Sequence, residues 1–295
     1  MRGLAKRIPV GWLFILPTII FLLIMTIFPL IWSLALAFCS WKLAKGGIES
    51  HPEFIGLGNF IEAINSDRRY WNAMGYTWLY TVIAVTVEFL LGLGLAILLS
   101  FKEFRGRRFF RVAYLVPMAC PPLGVAFMWR LLLHEDVGVL NKILMAIGLG
   151  KMRWMTDPWT ARFALIMVDI WQWTPFMFLA LLAALQALPV EPYEAALIDG
   201  ASRWQILRYI TLPMLKPVIT TILLLRTIDC LKLFDYVYGI TRGGPGLSTE
   251  SASYYIYLVG LSYFDFGYAS ALSYILLVMM LALSMVLILR LRRGL

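Results

Sequence analysis

Long apolar runs separated by short polar strips dominate the pattern along this chain. Six of them reach the roughly 20 residues that a helix needs to cross a hydrocarbon core about 30 Å thick. They lie at approximately 11–39, 72–100, 109–133, 159–185, 217–240 and 266–290, and predict six transmembrane helices. The first resembles a secretory signal in its flanks, with Arg2, Lys6 and Arg7 before it and a cleavage-like Ala35-Leu36-Ala37 near its end. Its apolar run from Val10 to Phe38 is too long for a signal core of about 7 to 15 residues, so it is expected to remain as an anchor. Pro17 and Pro29 leave open whether it spans as one rod or kinks.

Composition narrows the class further. Of 295 residues, 61% are hydrophobic and 15% charged, against roughly half and a quarter in an ordinary soluble domain. An all-α polytopic membrane protein accommodates this; a single water-soluble core does not. The net charge of +9 sits in strips between spans, so it marks topology and no nucleic-acid surface. Fourteen basic residues fall at the N-terminus, in 101–111 (Lys102, Arg105, Arg107, Arg108, Arg111), in 186–216 (Arg203, Arg208, Lys216) and in the tail (Arg290, Arg292, Arg293). Eight fall on the opposite side (Lys42, Lys45, Arg68, Arg69, Lys142, Lys151, Arg153, Arg242), partly offset there by acidic residues. Short cytoplasmic loops carry the basic excess, so both termini are expected in the cytoplasm.

The outer segments 40–70, 134–158 and 241–265 read as loops with short helices, and Trp41, Trp71, Trp154, Trp159 and Tyr263 are placed for an aromatic belt. Cys39, Cys120 and Cys230 form no CxxC pair, and His51 and His134 lack partners at ligand spacing, so no metal site is expected. Nucleophile and metalloprotease patterns (GxSxG, HExxH, GxGD) are absent, and the chain is not read as an enzyme.

One inner loop, 186–216, is longer than a connector needs. Pro192 suits a helix start, with Glu194 in the first turn opposing the helix dipole. Gly200 can adopt the left-handed conformation that ends one helix and lets another leave at an angle. The second helix is expected from about Ser202 to Leu212-Pro213, with Pro213 and Pro217 marking the return to the membrane. A helix lying on lipid would want large apolar anchors and a basic face. Glu194 to Ala201 instead offers small residues with Glu194 and Asp199, better suited to a cleft in another protein.

The series Glu194-Ala195-Ala196, Gly200, Ile210 and Leu212-Pro213 resembles the EAA loop of ABC importer permeases that work with a substrate-binding protein. Phe54-Ile55-Gly56-Leu57-Gly58-Asn59-Phe60, Thr241-Arg242-Gly243-Gly244-Pro245 and Asp265-Phe266-Gly267-Tyr268-Ala269-Ser270-Ala271 are similar to carbohydrate permeases of the maltose and glycerol-phosphate type. The resemblance implies one permease domain over 1–295 in a bacterial cytoplasmic (inner) membrane. Glu194, Ala195, Ala196, Asp199, Gly200, Ala201 and Arg203 would form a coupling helix seated in a cytoplasmic ATPase. The implied partners are a second homologous permease subunit, two ABC ATPase subunits, an extracytoplasmic substrate-binding protein, membrane lipid and a carbohydrate substrate. No cofactor is expected on this chain, with ATP and Mg held by the partner ATPase subunits. Its own sequence has no GxxxxGK[ST] cradle, since Gly150-Lys151 is followed by Met152.

Glu88, Asp169, Arg226, Asp229, Lys232 and Asp235 fall within spans. At about +2.5 to +3.5 kcal/mol for a charge at a helix centre, they must face protein or a wet cavity. Asp169, Gln172, Trp173 and Phe176 share one face of the fourth span, and Arg226, Asp229, Cys230 and Leu233 repeat that spacing on the fifth, with Lys232 and Asp235 beyond. Such a stripe of carboxylate, amide, indole and guanidinium suits a sugar, whose hydroxyls need donors and acceptors and whose ring stacks on an aromatic face. Two alternatives stay open. Arg226 with Asp229 and Lys232 with Asp235 could be pairs that only neutralise one another, or Asp169 and Asp229 could carry ions in a secondary transporter. Arg226 and Lys232 leave room for an anionic sugar, while Asp169 and Trp173 suit a neutral one equally well.

Overall fold

The computed structural model describes residues 10–43, 51–100 and 114–292. The basic residues Arg2, Lys6, Arg7, Lys45, Lys102, Arg105, Arg107, Arg108, Arg111 and Arg293, and the start of the third expected span, lie outside the described residues. In chain order the helices are α1 (Val10–Leu22), α2 (Phe28–Ala37), α3 (Gly58–Asn65), α4 (Arg68–Ser100), α5 (Pro122–Leu132), α6 (Val139–Ala146), α7 (Pro158–Gln186), α8 (Glu191–Ile198), α9 (Arg203–Ile206), α10 (Leu212–Leu231), α11 (Ala252–Tyr257) and α12 (Phe266–Arg292). A two-stranded antiparallel ladder joins Cys39–Ser40 to Glu53–Phe54.

Among the described residues, four stretches are long and apolar enough to cross a membrane: Phe14–Ala37, Arg68–Ser100, Pro158–Gln186 and Phe266–Val286. The first is one continuous helical rod. Pro17 lies inside α1, Pro29 sits in the first turn of α2, and a π-helical turn over Leu23–Ile27 joins the two. The other expected spans are interrupted. In the third, helix over 114–119 gives way at Cys120 and Pro121 before α5. Consecutive prolines cause this, because a residue before proline is pushed out of the helical region, and Pro121 takes ψ 132. The fifth, expected over 217–240, ends as a helix at Leu231 and resumes at Asp235, passing into a π turn over Val237–Thr241.

The chain divides into two compact units, Met1–Asp67 with Ile256–Leu277 and Arg68–Tyr255 with Val278–Leu295. In the first unit, the Asn59 side-chain amide donates to the carbonyls of Ala37 and Cys39, each at 2.9 Å, holding α3 against the end of α2. Lys42 and Asp265 pair at 2.6 Å. Gly267 packs against the Cys39 carbonyl so closely that a Cβ would collide with it. Asn59 and Gly267 of the two sequence motifs here are thus packing residues, while Gly56 supplies a left-handed turn at φ +60°.

In the second unit α4 and α7 pack side by side, and Gly92 faces Met177 and Phe178 with no room for a Cβ. Asp157 caps α7 by accepting from the backbone N–H groups of Trp159 and Thr160. Outside the spans, buried Asn141 organises 134–158: its amide donates to Glu135 and Met152 carbonyls, and its oxygen accepts from the Met152 N–H and the Trp154 indole. Trp154 is therefore buried in this loop and does not join a lipid-facing belt, whereas Trp159 is 72% exposed. On the loop's surface, the Lys151 ammonium 2.6 Å away holds the Asp136 carboxyl below its ordinary range. The 241–255 segment is tied down by a bidentate Arg69–Glu250 pair at 2.7 and 2.8 Å and by Arg162, whose Nε donates to the Ser248 carbonyl at 2.7 Å.

Candidate functional site

Three helices of the second unit, α4, α7 and α10, converge on one guanidinium. Arg226 is 3% exposed and donates twice to Glu88 at 2.8 Å, once to Asp169 at 2.9 Å and once to Asp229 at 2.7 Å. Its flat face lies over the Trp173 ring, 4.9 Å from the centroid. Glu88 and Asp169 are buried and their charge is met mainly by Arg226, while Asp229 is half-exposed. The Arg226–Asp229 pair forms as weighed, and Glu88 of α4, which accepts two hydrogen bonds from Arg226, joins it. The other suggested pair does not form: Lys232 stands 3.9 Å from Asp229, and no Lys232–Asp235 ion pair is present among the described residues.

Beside the cluster opens a cavity of about 200 Å³ whose wall includes Asp169, Trp173, Arg226, Asp229, Cys230, Lys232 and Leu233. Seven residues expected on the path thus share one space. Leu233 reaches it by a route the helical spacing did not describe: α10 has already ended, and the turn at Lys232 brings Leu233 in. Gln172 and Phe176 are behind the wall. Gln172 is buried, donating to the Cys120 carbonyl at 2.9 Å and accepting from the Tyr236 hydroxyl at 2.7 Å. Phe176 packs edge-on against Trp173. The wall also contains Tyr80, Asp235 and Tyr236, which the spacing argument did not assign to the path. Tyr80 lies eight residues before Glu88, about two helical turns and the same face, so an α4 face drawn from Glu88 would have found it. Tyr236, beyond the end of α10, carried no such signal.

Glu88, Asp169 and Cys230 place possible ligand atoms within 4.8 Å of one another. Arg226 already supplies positive charge to both carboxylates, which does not fit a cation at the same point. The Cys230 thiol donates to Asp169 at 3.6 Å, a carboxylate that Arg226 already holds; the arrangement offers hydrogen bonds and ring faces to a polar solute.

The second site is the loop after α7. Glu191 and Glu194 occupy the first turn of α8, and the helix ends in a Schellman turn: Ala201 N–H reaches the Ala196 carbonyl at 2.9 Å and Gly200 N–H the Leu197 carbonyl at 3.1 Å. Gly200 has φ +75°, the left-handed value this turn requires. Ser202 then caps α9 through a reciprocal capping box with Gln205. The second helix does not stop at Leu212-Pro213 as expected. A π turn over Leu207–Thr211 carries it directly into α10, with Pro213 inside the continuous rod. Glu194, Ala195, Asp199, Gly200 and Arg203 are exposed, Ala201 is half-buried, and Ala196 is buried. The tip is more apolar than its small residues implied: Leu197 is 64% and Ile198 86% exposed.

The chain is similar over nearly its whole length to known permeases. It is 37% identical over 286 residues to the trehalose/maltose transport system permease protein MalF of Thermococcus litoralis, covering 95% of this chain and 93% of that one. It is 37% identical over 275 residues to the sulfoquinovosyl glycerol transport system permease protein SmoG of Agrobacterium fabrum, covering 92% and 86%. Its structure superposes on a bacterial ABC transporter involved in import of the acidic polysaccharide alginate, with TM-score 0.83, 27% identity, and 96% and 95% of the two chains covered. Residues 88–293, which hold both the charge cluster and the elbow, match the binding-protein-dependent transport system inner membrane component, and this chain belongs to that family of ABC importer permeases.

Proposed function

We propose that this chain is one of two permease subunits of an importer that moves a sugar or sugar derivative across a bacterial cytoplasmic membrane by alternating access, driven by ATP hydrolysis on partner subunits. The observation that carries the reading is the α8–α9 elbow, with Gly200 at φ +75° and Leu197 and Ile198 projecting at its tip. Lipid-facing helices carry such side chains along a whole face; here they crown an eight-residue helix whose first turn bears two carboxylates. That combination suits a cleft in an ATPase subunit, with Glu194, Ala195, Ala196, Asp199, Gly200, Ala201 and Arg203 as the coupling residues. Closing of an ATPase pair then shifts the permease between states through the contacts that differ between them.

In this reading the whole chain, 1–295, is one permease domain with six crossings and both termini in the cytoplasm. The interrupted stretches 114–132 and 212–241 supply the third and fifth crossings. An extracytoplasmic binding protein delivers the solute, ATP and Mg stay on the ATPase subunits, and no cofactor binds here. The names of the relatives support a carbohydrate. The rival, an ion-coupled secondary transporter, needs Asp169 and Asp229 free to load an ion, and both are engaged by Arg226.

Ile198→Asp places a charge at the elbow tip, where it disturbs no packing within the chain. The variant is expected to reach the membrane in normal amount, lose co-purifying ATPase subunits and lose uptake. Retention of a stoichiometric ATPase and normal uptake would refute the coupling role, and uptake that survives ATP depletion but collapses with an uncoupler would favour the rival.

A further inference from the structure

We infer that Tyr80 is a ligand-contacting residue of the cavity, and that the cavity takes an uncharged polyhydroxyl solute in preference to its acidic counterpart. The inference rests on the carbohydrate-permease reading and adds to it a contact residue and a charge class. Tyr80 is 1% exposed, lines the cavity, and its hydroxyl is buried without a hydrogen-bond partner among the described residues. Buried hydroxyls are nearly always bonded, because dehydration without a new bond is costly. The other tyrosine of the wall is already engaged: the Tyr236 hydroxyl donates to Gln172 and accepts from the Trp173 indole. Tyr80 thus brings to the cavity wall a hydroxyl whose donor and acceptor capacity is unspent among the described residues, as a sugar hydroxyl requires.

The charge preference follows from what surrounds it. Two cations, Arg226 and Lys232, stand against four carboxylates: Glu88, Asp169, Asp229 and Asp235. Arg226 gives four of its five N–H donors to carboxylates, and Lys232 stands beside Asp229, so neither cation is in excess. Asp235 lines the cavity with no ion pair among the described residues. Carboxylates accept hydrogen bonds from neutral sugar hydroxyls, but a sugar acid brought against Asp229 and Asp235 meets like charge in a confined space.

The test uses the complete permease–ATPase complex in lipid nanodiscs, with D-glucose and D-glucuronate as probes and saturation-transfer NMR as the readout. Glucose is expected to bind, and glucuronate about tenfold more weakly, as like charge dictates. Tyr80→Phe keeps the ring, and should weaken glucose about fivefold, the worth of one neutral hydrogen bond, while melting temperature and complex yield hold or rise. Tyr76→Phe removes a hydroxyl that is also buried and unpartnered but does not line the cavity, and should leave binding unchanged. Asp235→Asn should narrow the gap between the two sugars. Equal or tighter glucuronate binding, no transfer from either sugar, or unchanged glucose binding in Tyr80→Phe each overturns the inference; so does a Tyr80→Phe chain that fails to assemble, since the hydroxyl is then structural. Loss of the ATPase partner from the parent complex fails the permease reading itself, and is scored separately by co-purification.

Discussion

Replacing Arg226 by methionine removes the charge that compensates two carboxylates sealed between α4, α7 and α10. The Glu88 side chain is 0% and that of Asp169 3% exposed, so neither can turn to solvent when its partner leaves. Breaking a buried ion pair in this way costs roughly 3–5 kcal/mol, mainly through the charge left behind. Two stranded carboxylates put Arg226→Met at the upper end of that range, and loss of the stacked guanidinium from Trp173 adds to it. The reasoning predicts its own rescue. Glu88→Gln and Asp169→Asn combined with Arg226→Met leave no buried charge in the interface, and the triple variant should recover about 2–4 kcal/mol relative to the single one. Asp229, 46% exposed, can be solvated instead, so Asp229→Asn alone should cost no more than about 1 kcal/mol. The assay is melting temperature and yield of the purified permease–ATPase complex, ranked across the four proteins, since detergent unfolding of such an assembly is a rate and not a two-state equilibrium. An Arg226→Met complex as stable as the parent, or a triple variant no better than the single, would show that the cluster is not the buried network inferred.

Two further substitutions probe the scaffold. Gly92→Ala sets a Cβ 2.6 Å from the Met177 Cβ and 2.9 Å from the Phe178 nitrogen, so α4 and α7 must separate. Overpacking of this kind costs about 1–3 kcal/mol, and assembled permease should fall, while Gly75→Ala, which meets nothing within 4 Å, should be tolerated. Asn141→Ala removes four hydrogen bonds that hold 134–158 together; faster hydrogen exchange at Met152 and Trp154, with that of α7 unchanged, is the expected outcome.

The elbow was legible because its signals are local. A proline and a carboxylate in the first turn, a glycine at the stop and a serine where the next helix starts are all set by neighbouring backbone groups, and Pro192, Glu194, Gly200 and Ser202 stand there in the structure. The location of charge inside the spans was legible too, since lipid excludes it. The interruptions at Cys120–Pro121 and Lys232 were harder, because hydropathy averages over a window and is blind to a single turn that leaves the helix.

Hydrophobic length and local capping therefore determined, from the sequence alone, the long apolar helices, the turn at Gly200 and the residues that cannot face lipid. The tertiary structure decided which of those residues are bound to one another: Arg226 reaches Glu88, 138 positions away, as well as Asp229 on its own helix, and Trp154 turns inward to Asn141. It also brought Tyr80 and Tyr236 to the same cavity as Asp169. Spacing along one helix fixes a face, but the distance between two faces depends on how closely the helices pack, and that is set by contacts such as Gly92 against Met177, which join residues far apart in the chain.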